Sequence, residues 1–264
     1  MVVVNVAADL KHALVSAILE RGMQEGMTFT VPDSEFEFLR ERYAVELRAF
    51  PSALQRRTDD APLDWTLSLN GRNPQDIGPN GRRMVISTNN ESVDLDASTI
   101  VAVQVHDMLP PLRDSHDASM FEAWAINEDT TAPSSRGPRY WCDRSDIAHG
   151  IVELLKGTPA PGVYNLAGRR AWSIEDTHAE FSPLLQRTSA GRSGEFSIEH
   201  LVATGIPTVK VVELDTTGQA DKRPSLRNIH AFLEASTGEG WRPKTPLRQS
   251  LMFTIAMLES DHAS

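Results

Sequence analysis

The chain has 264 residues, 40% of them hydrophobic and 23% charged, which is typical of a globular protein with a sizeable core. Its formal net charge of −10 argues against nucleic acid as a partner, because phosphate binding needs a basic surface. The single cysteine, Cys142, excludes an internal disulfide framework, and no apolar run approaches the ~18 residues of a membrane span, so we expect a cytoplasmic protein without a membrane partner.

In the N-terminal half, short apolar runs alternate with amphipathic segments. Residues 2–6 (VVVNV) are typical of a strand buried on both faces, and a helix pattern then runs from Ala13 to a stop at Arg21-Gly22. Ser34, followed by Glu37, predicts the start of another helix. The other predicted elements of this half are strands over 27–31, 64–70, 83–88 and 99–106, helices over 34–50 and 117–126, and a turn or linker over 131–139.

The C-terminal half continues the alternation with more regular patterns. Ser173 and Asp176 predict a capped helix with an acidic first turn, and Gly238 predicts the end of a later helix. The predicted helices are 145–157, 173–188, 196–205, 225–238 and 246–258, and the predicted strands are 162–168 and 208–215. Alternating strands and helices indicate an α/β fold with a mostly parallel sheet.

Three stretches of the C-terminal half carry a recognisable pattern: residues 139–168, RPSLRN (223–228) and GWRPKTPLRQSL (240–251). Together they resemble the extended short-chain dehydrogenase/reductases, the NAD-dependent epimerase/dehydratase family. The shared features are an aspartate that opens a helix, a strand that ends in Tyr-Asn-apolar-Gly/Ala-Gly, and a late Gly-Trp-x-Pro. The resemblance implies a Rossmann-like fold with a smaller C-terminal lobe, divided into halves at 1–138 and 139–264 that form one compact unit.

The resemblance also places segments of the N-terminal half. Residues 2–22 are similar to the family's first strand, glycine loop and first helix, with Val6, Asp9 and His12 at the three glycine positions. Asp33 falls where the family has a residue that contacts the adenosine ribose. VQVHDM (103–108) resembles the family's fourth-strand motif, and NEDTT (127–131) resembles the Asn-x-x-Gly-Thr that follows it.

Two departures from the family pattern bear on the cofactor. Side chains at the glycine positions take up space that a pyrophosphate needs, and Asp9 adds a negative charge there. The family's Tyr-x-x-x-Lys pair is missing, because Tyr43, Tyr140 and Tyr164 are followed four residues later by Leu, Arg and Gly. The short distance between NEDTT and the stretch around Tyr140 leaves out the family's catalytic helix. We therefore expect no cofactor, with NAD(P) as the alternative and Asp33 as its contact if a dinucleotide binds.

The ionisable residues at predicted strand ends are the candidates for catalysis. In open α/β sheets, ligands bind beyond the carboxyl ends of the strands, where Asp9, His12, His106 and Asp107 are expected. Each also has a structural interpretation, as a helix cap, an exposed histidine or a loop hydrogen bond. Arg223 and Arg227 are candidate anion contacts for a substrate, and Tyr140 is a candidate substrate-binding residue. The eight histidines show no metal-binding spacing, so we expect no metal.

The leading functional hypothesis is an enzyme for a small-molecule substrate that uses acid/base residues for a non-redox isomerisation, cyclisation or elimination. The arginine-rich composition suggests an enzyme of secondary metabolism. The sequence leaves open whether the chain forms a homodimer. One alternative is an NAD(P)-dependent epimerase, dehydratase or reductase with an atypical cofactor loop. The other alternative is a ligand-sensing pseudoenzyme without catalysis.

Overall fold

The computed structural model describes residues 2–58, 62–70, 82–88, 101–126, 137–195, 197–198 and 223–262. The chain divides into two compact units whose segments interleave along the sequence. The first unit comprises residues 1–106, 144–167 and 224–242, and the second comprises 107–143, 168–223 and 243–264. The boundary predicted between residues 138 and 139 falls inside the second unit.

The first unit is built on a parallel sheet of seven strands in the order β3-β2-β1-β4-β5-β6-β9. The chain runs outward from β1 to β3 on one side and from β4 to β9 on the other, so strand order reverses between β1 and β4. This arrangement confirms the predicted Rossmann-like α/β fold. The strands are β1 (Val3–Ala7), β2 (Thr28–Val31), β3 (Leu54–Arg56), β4 (Trp65–Leu69), β5 (Arg82–Ser87), β6 (Val101–Val105) and β9 (Gly162–Leu166).

One face of this sheet is apolar and packs against two helices, α1 (Ala13–Gln24) and α5 (Arg144–Lys156), which also contact each other. Val4, Phe29 and Trp65 occupy one row of that face by strand register, and all three are buried. Gly22 of α1 lies directly over the Phe29 ring: a Cβ there would stand 2.3 Å from Phe29 Cζ. Gly22 therefore allows close helix–sheet packing. The predicted helix stop at Arg21-Gly22 is wrong, because α1 continues to Gln24 before Gly26 adopts φ +76°.

The opposite face of the sheet is made of small and polar side chains. Asn5 is aligned with Thr30 on one neighbouring strand and with Thr66 on the other, and all three are buried. Parallel strands covered on both faces are usually apolar throughout. The alternation of apolar and polar residues along these strands therefore gives the sheet two chemically different faces. The run VVVNV was expected to be apolar on both sides, but Asn5 turns its polar amide to the second face.

The second unit has its own aromatic core. Its elements are β7 (Met108–Leu109), α4 (His116–Ile126), β8 (Cys142–Asp143), α6 (Ile174–Ser193) and α8 (Leu247–His262), with β7 and β8 paired in parallel. The rings of Phe121, Trp124, Trp141 and Phe181 pack at centroid distances of 5.1 to 5.8 Å. Such contacts contribute about 1 kcal/mol each beyond area burial. Trp141 also donates from Nε1 to Thr177 Oγ1 at 2.9 Å, which fixes its ring against α6.

Several predicted elements differ from the structure. The helix predicted over 34–50 is two helices, α2 (Asp33–Arg42) and α3 (Ala44–Ala49), because Tyr43 leaves helical geometry and sends its hydroxyl to the Ser16 carbonyl. Ser34 was predicted as the N-cap of this helix, but Pro32 occupies the N-cap position of α2 and makes no capping hydrogen bond through its side chain. Strand β3 was not predicted, since its LQR sequence is short and mostly exposed at the sheet edge.

Other predictions are confirmed or lie outside the described residues. The Ser173 hydroxyl accepts a hydrogen bond from the Asp176 amide, and Gly238 ends helix α7 (Arg227–Thr237) with φ +81°. The stretch 103–108 belongs to the sixth strand along the chain, so its placement as the fourth-strand motif is wrong; β4 takes that position. NEDTT (127–131), the strand over 208–215 and nearly all of the helix over 196–205 lie outside the described residues.

None of the helices in the described ranges is long and apolar enough to cross a bilayer.

Gly168, the last residue of the Tyr-Asn-Leu-Ala-Gly motif, offers a test of this packing. A Cβ at Gly168 would lie 2.1 Å from the Trp141 carbonyl oxygen, so Gly168→Ala must displace backbone. We expect it to lower the free energy of unfolding by about 3 kcal/mol, measured by urea denaturation. Gly191→Ala, in α6 with nothing within 4 Å of its Cβ, is the control and should be neutral or stabilising. Equal effects of the two changes would contradict the close approach.

Candidate functional site

Polar side chains mark the carboxyl ends of all seven strands of the sheet. Because the strands are parallel, these side chains lie along one edge, at which α/β proteins bind ligands. In the order of the strands across the sheet they are Arg56 at the end of β3, Asp33 after β2, Asp9 and His12 after β1, Asn70 after β4, Thr88 after β5, His106 after β6 and Asn165 near the end of β9. This row is the candidate site, and we call it the carboxyl edge.

The loop between β1 and α1 is shaped by hydrogen bonds from its own side chains. Asp9 is exposed, and its Oδ1 accepts from the Lys11 amide at 3.0 Å. His12 is the N-cap of α1, with Nδ1 accepting from the Leu14 amide at 3.2 Å. Val6, predicted at a glycine position, lies within β1 and is buried in the apolar face. Asp9 and His12 therefore perform, in this geometry, the structural roles of loop former and cap.

Burial favours the neutral form of the His12 ring. Desolvation lowers the pKa of His12, Asp9 opposes this shift, and the nearby Arg144 guanidinium adds to it. Because Nδ1 accepts a hydrogen bond, Nε2 carries the proton of the neutral ring. Nε2 is buried and has no hydrogen-bond partner in the part of the chain that the structure describes. The ring thus presents a donor to any acceptor that reaches the loop.

On the β2 side of the carboxyl edge, Arg56 joins two carboxylates. Its guanidinium donates to Asp33 Oδ1 at 3.1 Å and to Glu37 Oε1 at 2.6 Å, and it lies over the Phe36 ring at 4.6 Å. The side chain of Asp33 is 74% exposed, so its carboxylate keeps contact with solvent. Asp33 stands at the predicted ribose position, at the end of β2 and the start of α2.

On the other side of the reversal, neighbouring strands contribute two polar pairs. Asn70, in the left-handed region with φ +49°, accepts from the Thr88 amide at 2.9 Å. His106 Nε2 lies 3.0 Å from Asn165 Oδ1, and Asn165 Nδ2 donates to the Ser225 carbonyl at 3.0 Å. Sequence reasoning predicted only His106 among these. Asn165 lies in the Tyr-Asn-Leu-Ala-Gly motif and Asn70 ends the strand segment DWTLSLN, and these two patterns could have identified them.

Asp107 has a different environment from its neighbour His106. It adopts φ +47°, and its carboxylate accepts from the Tyr140 amide at 2.7 Å and from Arg139 Nη1 at 3.2 Å. Arg139 also donates to Asp117 in the first turn of α4, and the Asp107 carbonyl accepts from the Cys142 amide. These contacts join three segments of the second unit. These contacts give Asp107 a structural role in the second unit, and its catalytic role stays a prediction.

Of the three predicted substrate contacts, the two arginines are exposed and Tyr140 is buried. Arg223 is exposed and donates to the Arg169 carbonyl at 3.1 Å, whereas Arg227 is exposed at the start of α7. The Tyr140 side chain is only 9% exposed, and its amide and carbonyl bind Asp107 and Gly168. Within the described ranges, no three His, Cys, Asp or Glu side chains are placed to share a metal ion.

The strand order shows which predicted residues share one location. His106 and Asn165 follow adjacent strands and are in contact. The loop with Asp9 and His12 follows β1, which is separated from β6 by β4 and β5. Three strand spacings amount to about 14 Å. Asp9 and His106 therefore lie on the same edge but cannot act on the same atom of a small substrate.

Comparison with solved structures identifies the fold, whereas no protein-family model and no curated protein matches the sequence. The dTDP-glucose 4,6-dehydratase of Bacillus anthracis, solved with NAD, is 10% identical, with 100% of this chain and 98% of that one covered at a TM-score of 0.58. The Bordetella bronchiseptica enzyme WbmF, solved with NAD+ and UDP, is 13% identical over 99% of this chain and 93% of that one, at a TM-score of 0.55. RMD of Pseudomonas aeruginosa, solved with NADPH, is 12% identical over 99% and 98%, at 0.52.

The chain has the fold of the extended short-chain dehydrogenase/reductases. This confirms the resemblance drawn from the C-terminal motifs, at the level of the fold. The same comparison corrects the expectation about the cofactor. These neighbours were solved with NAD, NAD+ or NADPH, so the expectation of no cofactor is wrong for this fold.

The residues of the carboxyl edge fit a dinucleotide at two points. The exposed Asp33 carboxylate can accept hydrogen bonds from ribose hydroxyls, and the buried Nε2–H of His12 can donate to a pyrophosphate oxygen. Asp9 is the residue that opposes binding, because its exposed carboxylate adds a like charge beside the pyrophosphate. His12, which the sequence suggested would only obstruct a dinucleotide, supplies a buried donor in this loop.

The capping role of His12 predicts a pH dependence of stability. The folded-state pKa of His12 lies below the unfolded value of 6.5, so its contribution is complete above pH 6.5 and is lost as the pH falls through the folded pKa. His12→Asn keeps a capping side chain without this titration, whereas His12→Ala removes both. Between pH 7.5 and 5.5, we expect the unfolding free energy of wild type to fall more than that of either variant. Equal losses in all three proteins would contradict this role.

The ion pairs of Asp107 predict a stability defect. Arg139 and Asp107 have side chains that are 12% and 11% exposed, so Asp107→Ala removes one of the two carboxylates that pair with Arg139 among the described residues, in a largely buried site. We expect the unfolding free energy to fall by about 3 kcal/mol, measured by urea denaturation. Asp114→Ala, an exposed change of the same charge, should stay within about 0.5 kcal/mol of wild type. An Asp107→Ala protein of unchanged stability would return Asp107 to the catalytic candidates.

Proposed function

We propose that the chain is an NAD(P)-dependent enzyme that acts on a small molecule by acid/base chemistry at the carboxyl edge. The observation that carries this proposal is the row of polar side chains on both sides of the strand-order reversal, with His106 and Asn165 on one side and Asp33 on the other. Dinucleotides bind across such a reversal in this type of fold. An isomerisation or elimination is the reaction class we favour.

The chain's own residues would hold the cofactor as follows. The exposed Asp33 carboxylate would accept hydrogen bonds from the ribose hydroxyls, and His12 Nε2 would donate to the pyrophosphate. Asn70 and Thr88, which follow β4 and β5, would border the site on the other side of the strand-order reversal. When bound, the nicotinamide supplies reversible hydride transfer. The proton that accompanies such chemistry has to be moved by a side chain of the protein.

His106 is the best placed group for the proton transfer. Tyr43 and Tyr164 send their hydroxyls to the Ser16 and Ala160 carbonyls, and burial raises the pKa of both phenols. Neither tyrosine has a lysine four residues later, so the family's acid/base pair has no equivalent there. His106 is half-buried at the end of β6, where it faces the carboxyl edge and is held by Asn165.

A substrate with an anionic group suits the basic side chains of the chain. Arg223 and Arg227 are both exposed arginines in the stretch that resembles the family's phosphate contact. Of the neighbours named above, one is a dTDP-glucose dehydratase and another was solved with UDP, so nucleoside diphosphate sugars are the first substrates to test. A small-molecule enzyme of this kind is consistent with the expected cytoplasmic location.

The experiment that tests the proposal is calorimetric titration with NAD+ and NADP+. We expect NAD+ to bind about tenfold more tightly, because a 2′-phosphate would meet the Asp33 and Glu37 carboxylates that already occupy Arg56. Asp33→Asn should weaken NAD+ binding and narrow its advantage over NADP+. Asp9→Asn should tighten the binding of both cofactors several-fold, because it removes a negative charge beside the pyrophosphate.

The control is Glu46→Gln, which makes the same charge change in α3 and should leave both affinities unchanged. Absence of binding of both cofactors at millimolar concentration would overturn the proposal. Binding that is insensitive to Asp33 and Asp9 would place the cofactor elsewhere than the β1–β2 side of the carboxyl edge.

A further inference from the structure

The amide of Asn165 lies between the His106 ring and the backbone of Ser225. Its Nδ2 is 3.0 Å from the Ser225 carbonyl oxygen, and its Oδ1 is 3.0 Å from His106 Nε2. A backbone carbonyl can only accept a hydrogen bond, so the group that faces Ser225 has to be the NH2 group. The orientation of the amide is thereby determined, and the oxygen is the atom that faces the histidine.

This orientation determines the protonation pattern of His106. An amide oxygen can only accept, so Nε2 of His106 has to be the donor. In a neutral imidazole, one nitrogen carries the proton and the other is basic, which leaves Nδ1 of His106 as the basic atom. When Nδ1 takes up a proton, Nε2 is still a donor. The hydrogen bond to Asn165 is therefore retained in both charge states of the ring.

The strands hold the two residues in place. Asn165 is paired in register with Gln104 on β6, and the His106 amide donates to the Leu166 carbonyl at 2.9 Å. Both side chains thus project from neighbouring positions of a hydrogen-bonded strand pair. A site built on strands keeps its geometry better than one built on flexible loops.

We propose that Asn165 is a positioning residue, which holds neutral His106 with its proton on Nε2 so that Nδ1 exchanges the proton with the substrate. The use of Nδ1 in turnover rests on the proposed function, whereas the protonation pattern of the free protein does not. No other reactant is needed, because the proton moves between Nδ1 and the substrate atom that gains or loses it.

The test is ¹⁵N NMR of the histidine rings at a pH at which they are neutral, with His106 assigned by the loss of its signals in His106→Gln. We expect wild-type His106 to show a single form, protonated on Nε2. Asn165→Asp keeps an acceptor oxygen and should keep that form. Asn165→Leu removes the acceptor and should give a measurable fraction protonated on Nδ1.

Three outcomes decide the inference. A wild-type ring protonated on Nδ1, a mixture of both forms in wild type, or an Asn165→Leu ring that stays wholly in the Nε2 form would each overturn it. If Asn165→Leu does not fold, the wild-type and Asn165→Asp spectra still decide, because both must show the Nε2 form. Failure of NAD+ to bind would contradict the proposed function and would leave this result standing.

Discussion

The common direction of the seven strands is the constraint from which the site follows. The carboxyl ends of parallel strands all lie at one edge of the sheet, so a loop after any strand contributes to the same surface. The reversal of strand order between β1 and β4 opens a crevice there, because the connections leave in opposite directions. The apolar face of the sheet packs on α1 and α5. Under the proposed function, the contacts with cofactor and substrate would come from residues such as His12 and His106, which follow strand ends.

The two histidines of this edge look alike in sequence but differ in which nitrogen the protein engages. His12 accepts through Nδ1 as a helix cap, so a proton at Nδ1 would break the cap. His106 donates through Nε2, so a proton at Nδ1 leaves its hydrogen bond intact. Burial also lowers the pKa of His12. Under the proposed function, His12 would be a hydrogen-bond donor to the cofactor, whereas a ring that keeps its hydrogen bond when it takes up a proton suits proton transfer.

The sequence allowed the fold to be predicted because its signals are local. Alternating strands and helices, the Ser173 cap and the Gly238 terminus each act within a few residues. The role of Asp107 could not be predicted, since it depends on partners that the fold brings near. The Asp107 carboxylate is held by Arg139 and Tyr140, which lie 32 and 33 residues further along the chain. Strand β3 was missed for the same reason: an exposed LQR segment becomes a strand only because β2 pairs with it.

The chemistry of the three tyrosines explains why, under the proposed function, the proton-transfer group would come from a strand end. Tyr43, Tyr140 and Tyr164 are followed four residues later by leucine, arginine and glycine, so the sequence holds no Tyr-x-x-x-Lys pair. The hydroxyls of Tyr43 and Tyr164 donate to backbone carbonyls, and Tyr140 is only 9% exposed. A proton that accompanies hydride transfer would then have to be moved by another ionisable side chain. His106 follows the end of β6 at the carboxyl edge and is the histidine whose hydrogen bond to Asn165 is kept when the other ring nitrogen takes up a proton.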